Sequence, residues 1–290
     1  MFKHTWVQSI VPIFIAGCLS CSLPAQSQAK APVPEKAPAG EYLGFDRNVY
    51  PGDQMLSTIA KRFSFTGYWL SNPPLEQSNT WIGKRALIAS HNLGFLVLWN
   101  GRVDQEILEK AKGGTSATAL GLADAHAAIE AAKREGFPAG TTIFLDQEEG
   151  GRLLREQADY LFAWTEAVSA GGFHAGAYVS GEPVPDGPGK TITTAQNIKE
   201  TVAAKHLHPV ALFVFQDSCP PSIGCTLPPP PLTASGTPGA AVWQFALSPR
   251  TNPQACRKTY ASDGNCYVPE LPGIHLDLDV ARERDPSHGR

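Results

Sequence analysis

Thr141-Thr142-Ile143-Phe144-Leu145-Asp146-Gln147-Glu148-Glu149-Gly150-Gly151 is the stretch that decides how the rest of the chain is read. Five β-prone residues run into three acids and a glycine pair, the pattern of a buried strand that ends at a functional rim. Side chains alternate along a strand, so Asp146 and Glu148 point to one side with Cα atoms about 6.6 Å apart, while Gln147 and Glu149 point away. Two carboxylates in one small volume push their pKa values apart and leave one protonated and one ionised near neutral pH, as general acid/base chemistry requires. A strand that merely ends in solvated acids gives the same local pattern. The choice between the two depends on what else the chain brings to that rim.

Working outward, residues 41–46 read as a first short strand ending in Asp46, and residues 65–70 and 95–99 as the second and third. The strand carrying Asp146 is the fourth, and residues 173–179, 210–216, 240–245 and 273–279 are the fifth to eighth. Helical spacing of apolar residues fills most gaps: 54–62, 83–92, 117–135 stopped by Gly136 and Pro138, 153–170 closed by Gly171-Gly172, and 193–205. Helices fade between the last three strands. Strands joined by helical crossovers must be parallel, and eight of them in about 240 residues is the size at which such a sheet closes. The expected fold is therefore α/β, a (β/α)8 TIM-like barrel with irregular last βα units; an open doubly wound sheet is the alternative.

A chain of 290 residues with 42% hydrophobic content can bury a core of that size. A net charge of −3 and the absence of any Lys/Arg-rich run argue against a nucleic-acid partner. The first 29 residues read as an export signal, with Lys3 and His4 before an apolar centre and Ser27-Gln28-Ala29 as a small-x-small cleavage site. Ile15-Ala16-Gly17-Cys18 fits a lipobox, which gives a second option: a signal over residues 1–17 with Cys18 lipidated, and membrane association only through that anchor. The Pro/Ala-rich residues 30–40 are a linker, 41–281 the barrel and 282–290 a tail. The expected location is exported: periplasmic, cell-surface lipoprotein or secreted.

Export suits the remaining cysteines. Cys219, Cys225, Cys256 and Cys266 lie in loop-like sequence, and four cysteines in an oxidising compartment imply two disulfides. Three connectivities are possible; the local one, Cys219 with Cys225 and Cys256 with Cys266, is preferred because each bridge staples one loop. Their spacing does not suit a structural zinc site.

On a parallel barrel, the C-terminal strand ends converge on one face, where active sites sit. Asp46, Asp146, Glu148, Tyr178, Gln216, Asp217, Trp243, Gln244, Asp277 and Asp279 are all placed there by the strand assignment. Tyr68, Trp69, Trp99 and Trp243 are aromatics able to line a sugar groove, although each alone is more often core.

Gly44-Phe45-Asp46, Leu145-Asp146-Gln147-Glu148, Gly176-Ala177-Tyr178, Trp243-Gln244-Phe245 and Leu276-Asp277-Leu278-Asp279, in that order, resemble the bacterial glycoside-hydrolase-like domain family related to family 25 glycoside hydrolases of the lysozyme/muramidase type. The resemblance spans residues 41 to 281. It implies Glu148 as general acid, Asp146 as its assistant, and Asp46 and Asp277 as supporting acids. Tyr178, Gln216, Trp243, Gln244, Trp69 and Trp99 are the residues expected to bind substrate. It further implies a polysaccharide partner, peptidoglycan or a related glycan, and no cofactor. Phe245 and Asp279 stand where the lysozymes show other residues. Two carboxylates on one strand cannot flank a sugar as the usual pair does, which favours substrate-assisted chemistry.

Other readings are weaker. Residues 184–191 approach a phosphate-binding loop, but Val184 stands where its first glycine belongs. His91, His126, His174, His206, His208 and His275 form no metal-binding pattern, so no metal is expected; His206 and His208 suit a helix end, and His275 suits packing. A nucleophilic-serine elbow is lacking. The serious rival is a non-catalytic barrel that binds glycan or serves as a cell-surface scaffold, which fold alone does not exclude.

Overall fold

Several strands are buried at every position, which a strand achieves only where both faces of its sheet are covered. Phe65–Trp69 and Thr142–Asp146 are two such strands. The computed structural model describes residues 40–249 and 260–290. In chain order it contains β1 (Tyr42–Asp46), a 3-10 turn (Asp53–Met55), α1 (Leu56–Ile59), β2 (Phe65–Trp69), α2 (Arg85–Ser90), β3 (Gly94–Asn100), α3 (Asp104–Lys112) and α4 (Ala117–Arg134). There follow β4 (Thr142–Asp146), α5 (Arg155–Ala170), β5 (His174–Ser180), the two-residue strands β6 (Val184–Pro185) and β7 (Thr191–Ile192), and α6 (Thr194–Lys205). The chain then passes through β8 (Val210–Phe215), a second 3-10 turn (Leu232–Ser235), β9 (Val242–Ala246) and β10 (Asp277–Ala281). Eight strands close a barrel in the order β1-β10-β9-β8-β5-β4-β3-β2. The TIM-like architecture is therefore present, and the open sheet is not.

Local chemistry sets the helix ends. Ser116 caps α4 by accepting from the Ala119 amide at 3.1 Å, and Thr193 caps α6 by accepting from the Gln196 amide at 3.0 Å. His206 ends α6 in the left-handed conformation, with φ of 52°. Residues 184–191, similar in sequence to a phosphate-binding loop, form the β6–β7 hairpin, pinned where Arg152 donates to both oxygens of Asp186 at 2.9 and 2.8 Å.

Inside the barrel, ring and glycine alternate. A Cβ at Gly44 would lie 2.2 Å from the Phe65 ring, and one at Gly176 would lie 2.4 Å from the Phe144 ring. Those two rings and Phe213 are fully buried and fill the interior, each contributing about 1.5–3 kcal/mol by burial.

Two expectations are corrected by the last strand. First, β10 pairs antiparallel with both β1 and β9, whereas the strands from β1 through β9 pair parallel around the barrel. No described helix lies between β9 and β10, and without a helical crossover nothing forces the parallel direction. The strand also starts at Asp277 rather than at residue 273, so Asp277 and Asp279 lie at its beginning and middle. Second, Cys225 is bonded to Cys266, which rules out both local bridges. The loop after β8 and the loop before β10 meet on one face of the barrel across 41 residues of sequence, so nearness in the chain misleads about nearness in space. Cys256 and Cys18 lie outside the described residues, as do the signal sequence and nearly all of the linker.

Residues 282–290 are not a loose tail. Ser287 accepts from the Val97 amide through its hydroxyl at 2.8 Å, and its carbonyl accepts from the Thr142 amide at 2.8 Å. Asp285 accepts from the Phe95 amide at 2.8 Å, and Arg85 donates to the Gly289 carbonyl at 2.7 Å. This segment satisfies the backbone at the N-terminal ends of β3 and β4, opposite the acidic rim. No helix among the described residues is long and apolar enough to cross a membrane.

Candidate active site

The strand registers determine which side chains share the barrel mouth. Asp146 lies level with Tyr178 on β5 and with Asn100 on β3. Asp46 lies level with Asp277, and Gly44 with Asp279. Gln244 on β9 is level with Asp279. Neighbouring residues in a register face the same side, so these side chains point into the barrel from six strands.

A short hydrogen-bonded chain holds them. The Tyr178 hydroxyl donates to Gln244 Oε1 at 2.7 Å, and Gln244 Nε2 donates to Asp46 Oδ2 at 2.9 Å. These two bonds fix which way the Gln244 amide faces. The Ser248 amide donates to Asp277 Oδ1.

Burial among like charges sets the protonation. Asp46 is pushed up to about 7, chiefly by burial and partly by Glu148, against the hydrogen bonds from Gln244 and Asp279 that favour its ionised form. Burial also drives Asp146 well above the usual carboxylate range, with the charges of Glu148, Asp46 and Glu149 adding to it. Asp277 is raised well above that range by burial and then by Asp46, against the Ser248 amide. Tyr178 stays a neutral donor because burial and the charges of Glu148, Asp46, Asp146 and Asp277 all oppose its ionisation. Glu148 is solvent-exposed at the mouth yet still raised, by the protein mass around its carboxyl and by Glu149.

Some sequence-based placements differ from these positions. Trp243 and Trp99 take the outer side of their strands, level with Val214 and Leu145, and do not face the mouth. Trp243 is fully buried and donates through Nε1 to the Gln216 carbonyl at 2.9 Å. The reason is strand parity: each is one residue removed from an inward polar group, Gln244 or Asn100. Trp69 does face inward, level with Leu98, but is 4% exposed and donates to the Arg47 carbonyl at 3.1 Å. Tyr68 lies on the outer side of β2, level with Val97, and donates to Glu135. Gln216 is buried and holds the loop after β5, its Nε2 donating to the Gly181 carbonyl at 3.1 Å. His275 packs in the loop against Tyr267, 2.9 Å from its hydroxyl.

Three contributors escaped the sequence reading. Glu149 turns away from the mouth as expected, and accepts from the Asp104 amide at the start of α3 at 2.7 Å, yet its charge still raises Asp146 and Glu148. Gly101 lies against β4: its amide donates to the Asp146 carbonyl at 3.1 Å, and a Cβ there would come within 2.2 Å of that oxygen. Arg47, half-buried, is the cation whose charge interacts with Asp277. Only the acid that follows β4 and the residue types at neighbouring strand ends hinted at these. A cavity of about 340 Å³ opens beside Asp146 and Glu148, walled by Pro74, Asn100, Arg102 and Val103. A cluster of this kind can donate protons, accept hydrogen bonds from sugar hydroxyls, and stabilise positive charge once ionised.

A family model described as "Rv2525c-like, glycoside hydrolase-like domain" matches residues 60–209. Among solved structures, an uncharacterized protein of B. stearothermophilus is similar at a TM-score of 0.52 and 18% identity, covering 83% of this chain and 95% of that one. This likeness shows a shared fold. The Tat-secreted protein Rv2525c of Mycobacterium tuberculosis is similar at a TM-score of 0.47 and 13% identity, over 83% of this chain and 94% of that one. The spore cortex lytic enzyme SleM of Clostridium perfringens is similar at 0.48 and 13%, over 85% of this chain and 69% of that one. No curated protein sequence matches significantly.

Proposed function

Because this chain belongs to the Rv2525c-like, glycoside hydrolase-like domain family, we propose that it is an exported hydrolase of β-glycosidic bonds in cell-wall glycan of the peptidoglycan type. The observation that carries the proposal is the company kept by Tyr178. One buried phenol feels Asp46, Asp146, Glu148 and Asp277 together, so four acids from three strands and the end of β4 surround one small space.

Glu148 is the general acid. It is the exposed member of the group, so it alone reaches a glycosidic oxygen, and its raised pKa keeps a proton available to donate. Asp146, buried directly behind it, orients an N-acetyl group or stabilises positive charge developing on the sugar. The two acids share one strand end, so they do not flank a sugar ring, and the substrate's own N-acetyl group serves as nucleophile. Asp46, held by Gln244, and Asp277, held by the Ser248 amide, support the same charge from the far wall. Tyr178, Gln244 and the inward Trp69, all buried, shape the wall behind the glycan.

The Cys225–Cys266 bridge supports an oxidising compartment, and Cys18 is proposed as the lipid attachment site. The test is release of reducing ends from purified peptidoglycan. Activity that disappears in Glu148→Gln and Asp146→Asn supports the hydrolase. Saturable retention on the glycan without any released product would instead identify a binding barrel.

A further inference from the structure

Asp279 has no part in the reaction just described, yet it is fully buried and neither of its carboxyl oxygens has a donor partner among the described residues. Its surroundings explain why that matters. The register sets it against Gly44 on β1, where the Phe65 ring takes the space a side chain would fill. On its other side Gln244, level with it on β9, commits its amide to Asp46 and Tyr178. The titratable groups that face it are Asp46 from β1 and Asp277 from its own strand, both acids. Asp46, two residues beyond Gly44 on β1, is the diagonal neighbour of Asp279 across the ladder and shares its inward face, so a hydrogen bond between the two carboxyls affects both groups. Two ionised carboxylates are both acceptors and make no such bond, whereas one proton between them completes it.

We propose that Asp279 permanently carries a proton and donates it to Asp46, acting as a positioning residue that fixes the Asp46 carboxylate beneath the mouth. The pair then places one negative charge, not two, on the barrel floor. Asp46 receives a hydrogen bond from Asp279 on one side and from Gln244 on the other, so its orientation is set before any ligand arrives. An isolated, fully buried carboxylate with no donor is strongly disfavoured, and a shared proton removes that penalty. The position also accounts for an aspartate deep in the strand, one layer below Asp277. The part Asp46 plays in hydrolysis rests on the reading proposed above; the shared proton does not, and its test uses no substrate.

The experiment is a carboxyl-carbon NMR titration of the full chain, in the wild type and in Asp279→Asn and Asp279→Leu. In the wild type the Asp46 signal is expected to have its midpoint near pH 7, and the Asp279 signal is expected to remain at its protonated position throughout. Asn replaces one uncharged donor by another, so the Asp46 midpoint should move by less than about half a unit. Leu removes the donor and should raise that midpoint by about one unit. A fall of more than about one unit in Asp279→Asn would overturn the proposal, because it would mean a negative charge had been removed. An unchanged midpoint in Asp279→Leu would equally overturn it, since no donation would have been lost. If the Leu variant fails to fold, the Asn variant and the wild-type Asp279 signal decide the outcome.

Discussion

Asp277 stands directly opposite Asp46 across the β1–β10 ladder, although the two strands run in opposite directions. Opposed residues in such a ladder have Cα atoms about 4.5–5.5 Å apart. A parallel last strand would bring its final residue to the rim; here the first residue of β10 arrives there instead, and the chain then descends into the barrel. The reversal thus gives the mouth an acid from the start of a strand and gives the floor a second acid two residues later.

Replacing Glu148 by Gln or Asp146 by Asn should leave the fold intact and lower glycan hydrolysis by about 100- to 10,000-fold, the usual range for loss of a general acid. The check is initial rates on purified peptidoglycan, alongside thermal melts that should shift little for the exposed Glu148.

Stability should fall as pH rises. Asp46 goes from the usual 3.8 in the unfolded chain to about 7 in the folded protein, so between those values the folded state holds a proton that the unfolded chain has released. Its contribution is complete below about pH 4, declines through neutrality, and by about pH 8 amounts to a loss of about 4 kcal/mol relative to acid conditions. Asp146, Asp277 and Asp279 are raised as well and act in the same direction. Chemical unfolding from about pH 5 to about pH 9 should therefore show a downward slope, flattened in Asp46→Asn. A slope of the opposite sign would mean that the mouth is ionised in the folded protein.

Gly101→Ala should injure the site from outside it. The new Cβ would lie 2.2 Å from the Asp146 carbonyl oxygen and 3.1 Å from Leu145 Cδ1. The end of β4 has to move, costing about 1–3 kcal/mol. Hydrolysis should drop with it, because Asp146 and Glu148 both follow that backbone. Unfolding curves and rates on the same preparation test both effects.

Cys225→Ser and Cys266→Ser should destabilise the protein equally, by up to about 4 kcal/mol for a loop of this length. Denaturant midpoints with and without a reductant provide the check. Reduced wild type should match either variant.

Much of this was legible in the sequence because it is local. The unbroken β-prone run of Thr142–Asp146, buried at every position, and helices stopped by glycine and proline reveal themselves within ten residues, and so does the pairing of Asp146 with Glu148. What escaped depends on the third dimension. α3 was missed because Ile107 is its only buried residue, too little for a periodic signal. The run at 54–62 reads as one helix, but the structure has a 3-10 turn, Asp53–Met55, running directly into the single α turn Leu56–Ile59. Strand direction at β10 and the partner of Cys225 depend on a long loop whose path no local pattern encodes. Parity decided the tryptophans: one residue along the strand separates Trp243, packed outward, from Gln244 at the mouth.

The ring is closed by its two extremities. β1 and β10 are neighbours, and residues 285–289 clasp β3, β4 and α2 from below. During folding, then, no length of chain that lacks β10 can complete the barrel, and every such length presents open strand edges. Removing residues 282–290 would leave the ring of strands but take away the clasp beneath it.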